Sequence, residues 1–457
     1  MPTRTLTVEG RLAHHLATVR YEDLPPEAVA ATKYLLVDTI ADMAASLRSP
    51  ECLALRDRWA EMHGAGACSV VGKNHGLSAG SAAFLNGVFA HWFEWDDVHI
   101  PSILHASAVL FPTLLAAAEA GGLADDEDGG KEFIAACVGA FDVAARASEA
   151  LVPHMHNGWM PTGSAVIGAA GGAARLLGLG IEGIHSAMGI AASTMGVGRQ
   201  PIKDMVNGKN VLCGLVAESA MRSAILAEQG ILGAKGFLFG PFGANTLFAD
   251  GHGSEETALA GLGERFSVSE SSIKLYPCCQ STHGCIGATL EIRADTPDIL
   301  EQVEKIDLRL PQRNFDLVGA PFRIGENPRV SAQFNVSFTV ALALRNGAVR
   351  IDDFNDDAVR DADEVIALAA RTDVGVNDEP GHQVRLRLKD GTFREATTTI
   401  LKGDPRRPLN DTDRRTKLDD ALSIFDPSYQ SNSLLAVADG VAARGIGKLT
   451  AWVRGVG

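Results

Sequence analysis

Residues 163–180 read GSAVIGAAGGAARLLGLG, and this stretch decides between two fold classes. Its glycines superficially match the phosphate-binding loop of a nucleotide-binding domain, but that loop follows a β-strand and no strand pattern precedes residue 163. Glycine and alanine repeated along a helical segment instead allow neighbouring helices to approach closely, because they carry little or no side chain. The stretch therefore predicts a helix packed among other helices.

The helical pattern extends outward from this stretch to about residues 7–265. The segment 25–46 starts with Pro25 and Pro26, which favour a helix start, and continues with apolar residues at helical spacing. Further helices are predicted over 104–120, 131–151, 162–178, 182–195 and 210–230.

The pattern changes after about residue 266. Residues 305–311 and 382–400 alternate apolar and polar side chains, and Asp390-Gly391 lies where a hairpin turn belongs. Residues 413–445 return to a helical pattern. We predict a mainly α protein, with a large all-helical domain formed by residues 1–265 and a C-terminal return over 405–457, and a smaller α+β domain over 266–404.

Composition excludes several classes of partner. The 457 residues carry a formal net charge of −15, which disfavours nucleic acid and anionic membranes. The N-terminus lacks a signal-peptide pattern, and Arg175 interrupts the smoothest apolar run, so we expect no membrane span. The seven cysteines are odd in number and irregularly spaced, which favours reduced thiols and a cytoplasmic location.

Residues 86–112, NGVFAHWFEWDDVHIPSILHASAVLFP, concentrate titratable side chains between apolar runs. Unpaired acids and imidazoles are costly to bury, so we expect these groups to be paired with each other or to line a cavity. A histidine oriented by a carboxylate can act as a general acid or base. A metal site and a helix end capped by aspartates are the alternatives. The residues concerned are His91, Glu94, Asp96, Asp97, His99 and His105.

Two further segments carry candidate site residues. In 199–214, Lys209 lies at the start of a predicted helix, where a cation is unfavourable unless it meets an anion, and a solvated basic loop is the alternative. In 271–284, Lys274, Cys279 and His283 flank the boundary between the predicted domains, where small-molecule sites concentrate. An iron–sulfur cluster lacks a fourth ligand and the usual spacing there. A Cys/His nucleophilic dyad is possible, although no flanking motif supports it.

Seven segments together resemble one family, the MmgE/PrpD proteins, which include 2-methylcitrate dehydratase, cis-aconitate decarboxylase and iminodisuccinate epimerase. They occur in the family's order along almost the whole chain. The most specific are FEWDDVHIPSILH within 86–112 and KLYPCC within 272–283. The others are 35–46, 158–180, 206–233, 332–347 and 403–410.

The resemblance implies a lid formed by residues 266–404, a site between the lid and the helical domain, a homodimer, and no cofactor or metal. It implies catalytic roles for Glu94, His105, Lys209 and Lys274. Substrate contacts are expected from Asp97, Met160, Arg199, Cys279, His283 and Phe338.

Four positions depart from the pattern that the family shows. Met160 and Cys279 stand where histidines are expected, Val98 replaces a threonine, and Phe338 replaces a tyrosine. These changes favour a smaller or less polar substrate than that of the family's decarboxylases.

We therefore expect a lyase, dehydratase-like, that removes a proton next to a carboxylate of a small di- or tricarboxylic acid. In this interpretation His105 is the acid/base, oriented by Glu94 or Asp97, and the lysines stabilise the developing charge. An isomerase or epimerase, a decarboxylase and a catalytically silent carboxylate-binding protein remain open. A metal-dependent hydrolase would use His91, Asp96 and His99.

Overall fold

The computed structural model describes residues 6–126, 129–425 and 430–455. The structure is 61% helical with a small four-stranded mixed sheet, which confirms the predicted fold class. The first part of the chain forms α1 (Val8–Thr18), α2 (Pro26–Ala45), α3 (Pro50–His63), α4 (Ala79–His91), α5 (Ser107–Ala120), α6 (Gly129–Glu149), α7 (Ala165–Leu176), α8 (Ile181–Ala191), α9 (Gln200–Lys203), α10 (Gly208–Glu228), α11 (Ala244–Ala249) and α12 (Glu255–Leu259).

The glycine-rich stretch forms the buried helix α7, as predicted. A Cβ atom on Gly168 would lie 2.1 Å from the carbonyl oxygen of Ala140 in α6. One on Gly172 would lie 2.7 Å from the Leu114 side chain in α5. Both glycines are required because the helices pack backbone against side chain, at distances that no other residue allows.

Helix α10 carries Lys209 into the centre of the helical domain. Within the described residues it is the one helix with the length and apolar content of a membrane span. Its apolar stretch is 56% buried, and it packs against α4, α7 and α8. Gly87 of α4 and Gly214 of α10 meet so closely that a Cβ on Gly87 would lie 2.9 Å from the Gly214 Cα. It is therefore a core helix of this domain.

The lid combines helices with the sheet, whose order is β2-β1-β3-β4. Strand β1 pairs parallel to β2 and antiparallel to β3, and β4 pairs antiparallel to β3. The elements are α13 (Gln280–Asp295), α14 (Ile299–Gln302), β1 (Val303–Leu310), α15 (Gln312–Val318), α16 (Pro328–Gln333), α17 (Val336–Asn346), α18 (Asp356–Arg360), α19 (Asp363–Ala369), β2 (Thr372–Val376), β3 (His382–Leu388) and β4 (Phe393–Thr398).

Alternation predicted the strands that have one buried face. Strand β3 alternates buried and more exposed residues along its length, and Gly391 makes the predicted turn to β4 with a φ of +85°. Strand β2 was not predicted. None of its residues is fully buried, so its sequence carries no alternating signal.

The C-terminal segment returns to the helical domain with α20 (Asp411–Leu422), α21 (Ser431–Asp439), α22 (Val441–Arg444) and α23 (Gly447–Gly455). Leu418, Leu434 and Val453 belong to the same hydrophobic core as the N-terminal helices. Two further clusters form the core of the lid, and Met160 and Ile202 of the helical domain join one of them. These two residues therefore mark the seam between the helical domain and the lid.

The segment where the chain enters the lid and the segment where it leaves lie next to each other. The Ile273 amide donates to the Gly403 carbonyl at 2.9 Å, and Ser272 forms a two-residue antiparallel bridge with Val98. This pairing brings the start of the lid directly against residues 92–99, the loop that carries the candidate site.

Candidate active site

The loop between α4 and α5 positions the acidic and imidazole side chains. Helix α4 ends at His91, and Glu94 adopts a left-handed backbone conformation with a φ of +58°. Such a conformation is uncommon for residues other than glycine and persists where surrounding contacts hold it. The turn brings Glu94 and Asp96 towards the same buried group of cations and imidazoles, together with His105 just before α5.

Glu94 lies between two buried lysines. The Lys209 ammonium donates to Glu94 Oε2, and Lys274 Nζ donates to Glu94 Oε1 at 3.0 Å. Burial alone would raise the pKa of the Glu94 carboxyl, but the charges of Lys209 and Lys274 outweigh it and hold the pKa well below its usual range. Burial lowers the pKa of Lys274, and the charges of Glu94 and Asp96 more than reverse this effect. Glu94 and Lys274 are therefore both ionised.

Asp96 links two imidazoles. His91 Nδ1 lies 2.8 Å from Asp96 Oδ1, and His105 Nδ1 lies 2.9 Å from Asp96 Oδ2. Burial would raise the pKa of Asp96, but His91, His105 and Lys274 together hold it well below its usual range. Because an ionised carboxylate only accepts hydrogen bonds, both Nδ1 atoms carry protons.

The two Nε2 atoms have different surroundings. His91 Nε2 accepts from Lys209 Nζ at 2.6 Å, whereas His105 Nε2 lies 3.9 Å from Glu94 Oε1 and makes only this longer contact. The His105 side chain is 10% exposed, more than the other side chains of the charged cluster, which consists of His91, Glu94, Asp96, His105, Lys209 and Lys274. Burial lowers the pKa of His105 to about 4, although Asp96 opposes the shift. At neutral pH His105 is therefore a neutral imidazole with an available proton-accepting nitrogen.

The cluster balances its own charge. Two carboxylates, Glu94 and Asp96, face two ammonium groups, Lys209 and Lys274. Burying isolated charges is strongly unfavourable, whereas paired and hydrogen-bonded charges can be accommodated. The arrangement provides a base beside two fixed positive charges, which is what the removal of a proton next to a carboxylate requires.

The structure brings together all four predicted catalytic residues and adds Asp96 to them. We expected Glu94 or Asp97 to orient His105, but Asp96 occupies that position. Asp97 instead accepts hydrogen bonds from the Ser107 amide, at 3.3 Å, and from the Ser271 hydroxyl. Burial raises its pKa to about 6. Asp97 thus links the start of α5 to the entry of the lid, and in this respect it resembles the helix-capping alternative.

Three of the residues predicted to contact the substrate lie in the apolar clusters of the lid and its seam with the helical domain. Met160 and Cys279 lie in one apolar cluster with Ile202, at the seam between the two domains. Phe338 is buried inside the lid in a different cluster, with its ring 4.6 Å from that of Phe322. It therefore packs in the lid core and does not share the cluster that contains Met160 and Cys279.

Among the described residues, Arg199 and His283 form their hydrogen bonds with groups outside the charged cluster. The half-buried Arg199 guanidinium donates to Asn157, 3.2 Å from its side-chain oxygen. His283 is buried on α13 against the Tyr276 ring, with Nε2 3.3 Å from the Cys278 carbonyl. Burial and the charge of Lys274 lower the pKa of His283 to about 3.

The imidazoles fall into two separate groups that could hold a metal ion. One contains His91, Asp96 and His105, and the other contains His99 with Glu149 and Glu270. The hydrolase triad of His91, Asp96 and His99 is therefore not assembled. In the first group both Nδ1 atoms already bond Asp96, and Lys209 occupies His91 Nε2, so a metal would have to displace three hydrogen bonds.

Together, the fold and the site define a two-domain, mainly helical protein with a charge-balanced acid/base centre beneath an α+β lid. The family model of the MmgE/PrpD N-terminal domain matches residues 10–257, and that of the MmgE/PrpD C-terminal domain matches residues 276–439. The chain belongs to the MmgE/PrpD family, as the sequence motifs predicted.

Similar proteins are cis-aconitate decarboxylases. A cis-aconitate decarboxylase-like protein of Aspergillus oryzae is 29% identical over 440 residues, which cover 90% of this chain and 89% of that protein. The cis-aconitate decarboxylase of Aspergillus terreus is 29% identical over 314 residues, covering 66% of this chain and 63% of that protein. That of Mus musculus is 26% identical over 355 residues, covering 74% and 70%. The chain is thus similar to enzymes along most of its length.

Proposed function

We propose that this protein is a lyase that acts on a small di- or tricarboxylic acid, by forming negative charge on the carbon next to a carboxylate. The observation that carries the proposal is the neutral His105, whose Nδ1 is held by Asp96 while Nε2 is available beside two buried ammonium groups. Membership of a family with decarboxylase relatives supports lyase chemistry.

The geometry supports proton abstraction by His105, and we propose loss of water as the reaction that follows. His105 Nε2 takes the proton next to the substrate carboxylate, and the Asp96 carboxylate stabilises the imidazolium that forms. Lys209 and Lys274 share their positive charge between Glu94 and the substrate carboxylate, where they stabilise the enolate-like charge. The electron pair then forms the double bond and expels the hydroxyl group from the neighbouring carbon. The hydroxyl group takes the proton from the His105 imidazolium and leaves as water, which returns His105 to its neutral form.

Decarboxylation is the second candidate, favoured by the names of the relatives. In that reaction the carbon–carbon bond breaks, CO₂ leaves, and its electron pair stays on the substrate until a proton is added. The same two lysines would stabilise the charge. The proton would come from an ammonium group of the site or from a protonated His105, and burial makes the neutral form of His105 the dominant one at pH 7.

The seam above the charged cluster supports a less polar substrate than a decarboxylase relative would take. Met160, Ile202 and Cys279 present methyl, methylene and thiol groups there. These groups make weak hydrogen bonds or none. Contact with apolar substrate surface is therefore favourable here, whereas burial of an additional carboxylate would be unfavourable because it would lose its hydrogen bonds to water. A dicarboxylic acid fits this surface better than a tricarboxylic acid.

A panel of di- and tricarboxylic acids incubated in D₂O and followed by NMR tests the proposal. We expect the wild type to exchange or convert one acid, with the product identifying loss of water or of CO₂. His105→Ala, Lys209→Ala and Asp96→Asn should each lose at least ~100-fold in turnover, the usual cost of removing an acid/base or charge-stabilising group. Lys203→Ala, an exposed lysine six residues before Lys209, is the matched control.

Near-wild-type turnover in both His105→Ala and Lys209→Ala would contradict the proposal. Binding of an acid without any exchange at its α-carbon would identify a catalytically silent carboxylate-binding protein instead.

We also propose a homodimer and a reducing, cytoplasmic environment. All seven cysteines are free and buried, which supports the second of these proposals because such thiols persist where disulfides do not form.

A further inference from the structure

Five consecutive backbone carbonyls, those of residues 91–95, each accept a hydrogen bond from a side chain far away in the sequence. Three of the donors belong to the lid, one to α10 and one to the C-terminal helix α20. The pairs are Asn210 Nδ2 with His91 O at 3.0 Å, the Arg329 guanidinium with Trp92 O, Gln333 Nε2 with Phe93 O at 2.8 Å, Lys274 Nζ with Glu94 O at 2.7 Å, and Lys417 Nζ with Trp95 O at 2.9 Å.

These bonds matter because residues 92–95 lie outside helix α4 and have no regular ladder to fix them. Glu94 also holds its left-handed backbone conformation within this segment. A strained conformation of this kind persists only where the surroundings over-determine it. The five donors therefore fix the backbone that carries Glu94 and leads to Asp96.

Gln333 is the donor that joins the most segments. Its Nε2 atom donates to Phe93 O and also to Pro277 O, both at 2.8 Å, and its backbone carbonyl accepts from the Cys279 amide at 3.0 Å. Its side chain is completely buried. Both amide protons are used, and the opposite orientation would place the amide oxygen against two carbonyls. Gln333 thus ties the loop to the turn of the lid that contains Cys279.

Arg329 reinforces this connection from the same short helix, α16. Its guanidinium lies over the rings of Trp92 and Phe93, at 4.5 and 5.3 Å from their centres, while it donates to Trp92 O. Two residues of α16 therefore donate hydrogen bonds to Trp92 and Phe93, the two residues that precede Glu94.

We propose that Gln333 is a positioning residue that makes the site depend on the lid: docking of the lid sets the loop 92–97, and with it Glu94 and Asp96. Lys274, Arg329 and Gln333 leave the carbonyls of residues 92–94 together when the lid moves away, and the catalytic arrangement is restored when it returns. The effect on turnover rests on the proposed function, whereas the effect on the loop does not.

Hydrogen exchange measured by mass spectrometry on the full chain tests the loop directly. Gln333→Met removes both donors at similar volume. We expect exchange in peptides covering 92–98 to accelerate about tenfold, including the Glu94 and Val98 amides that bond His91 O and Ser272 O, while β1–β4 keep wild-type rates. Thr339→Val is the matched control, because it removes a buried hydrogen bond of the lid that does not reach the loop. It should leave exchange in 92–98 unchanged.

Kinetics on the acid identified from the panel supply the second readout. Gln333→Met should lower kcat by about 10- to 100-fold with KM within about threefold, as expected when reacting groups are misplaced but substrate binding is kept. Gln333→Glu supplies a signature that a purely structural role would not: its carboxylate cannot donate, but its protonated form can. Its kcat relative to wild type should therefore rise between pH 8 and pH 6, whereas that of Gln333→Met should stay constant.

Wild-type exchange in 92–98 of folded Gln333→Met would overturn the proposal, as would a kcat equal to that of Thr339→Val. If Gln333→Met loses its global fold, Gln333→Glu decides: exchange in 92–98 that does not slow relative to β1–β4 as the pH falls would overturn it. Faster loop exchange with no acid turned over would leave the positioning role in place and remove the proposed function.

Discussion

A single carboxylate that accepts from two imidazoles, as Asp96 does from His91 and His105, fixes both tautomers at once. It leaves one Nε2 bonded to Lys209 and the other available, so chemically similar rings acquire different roles. His283 shows what burial does without such a carboxylate. Its partner is a backbone carbonyl, and its pKa falls lower, to about 3. The difference lies in the neighbouring groups, because both rings are buried.

The lowered pKa of His283 predicts a loss of stability in acid. The unfolded chain binds a proton at this histidine below about pH 6.5, whereas the folded protein does so only near pH 3. The folded state therefore binds fewer protons over this interval, and the free energy of unfolding falls as the pH is lowered through it. Between pH 7 and pH 5 this histidine accounts for about 2 kcal/mol of lost stability.

His283→Gln removes this contribution, so urea unfolding of the variant should lose about 2 kcal/mol less than wild type between pH 7 and pH 5. The comparison cancels the titration of every other group. His75→Gln, at an exposed histidine, should retain the wild-type pH dependence. Equal pH dependence in wild type and His283→Gln would show that the buried imidazole does not titrate as described.

Residue types in the sequence pointed to the side chains that cluster at the candidate site, but not to how they pair. Glu94, Asp96 and Asp97 are equivalent candidates by spacing. Their roles are decided by the left-handed turn at Glu94, which carries no sequence signal because it does not use a glycine. Phe338 was assigned to the substrate by position in a motif, and the structure places it in the lid core, because its helix turns that face inward.

At the scale of elements, the two crossings between the helical domain and the lid are joined by a backbone hydrogen bond. Gly403 adopts a φ of +96°, and a Cβ there would lie 2.0 Å from the Ile273 carbonyl oxygen. Gly403→Ala should therefore lower the free energy of unfolding by at least ~2 kcal/mol, through backbone strain together with overlap. Gly391→Ala, at the β3–β4 turn, is the matched control. Its φ is +85° and nothing lies near its Cβ, so only about 1 kcal/mol is expected.

Denaturant unfolding of both variants measures the difference between them. An equal loss of unfolding free energy in both variants would mean that the close approach of Gly403 to Ile273 adds nothing to the cost of backbone strain.

Elements with a strong periodic signal could be predicted, and contacts between distant elements could not. Helix α7 followed from its glycines and strands β3 and β4 from alternation, whereas β2 lacked a buried face. The bonds from Gln333 to Phe93 and Pro277 join positions 240 and 56 residues apart. An amide side chain within a helical stretch does not indicate such partners, because they depend on how the lid docks.

At the scale of the whole molecule, the buried cations contrast with the net charge of the chain. The net charge is −15, yet Lys209 and Lys274 are gathered inside, each paired with a carboxylate. The side chains of Glu94, His105 and the two lysines are at most 10% exposed, so the site is nearly closed to solvent. The proposed function therefore requires a movement that admits the substrate and then excludes water.

The last prediction concerns assembly. Leu232 and Phe242, which follow α10, are 84% and 90% exposed, whereas large apolar side chains are normally covered. The net charge of −15 disfavours an anionic lipid surface as their partner, so we expect a second copy of the chain to cover them.

Light scattering after size-exclusion chromatography should give about twice the monomer mass of 48.2 kDa. Leu232→Ser combined with Phe242→Ser should give monomers at micromolar concentration, because the apolar contact is lost. Met62→Ser, at a 59% exposed residue of α3, should leave the dimer intact. A monomeric wild type would contradict the homodimer itself, and a dimeric double variant would place its interface on another face.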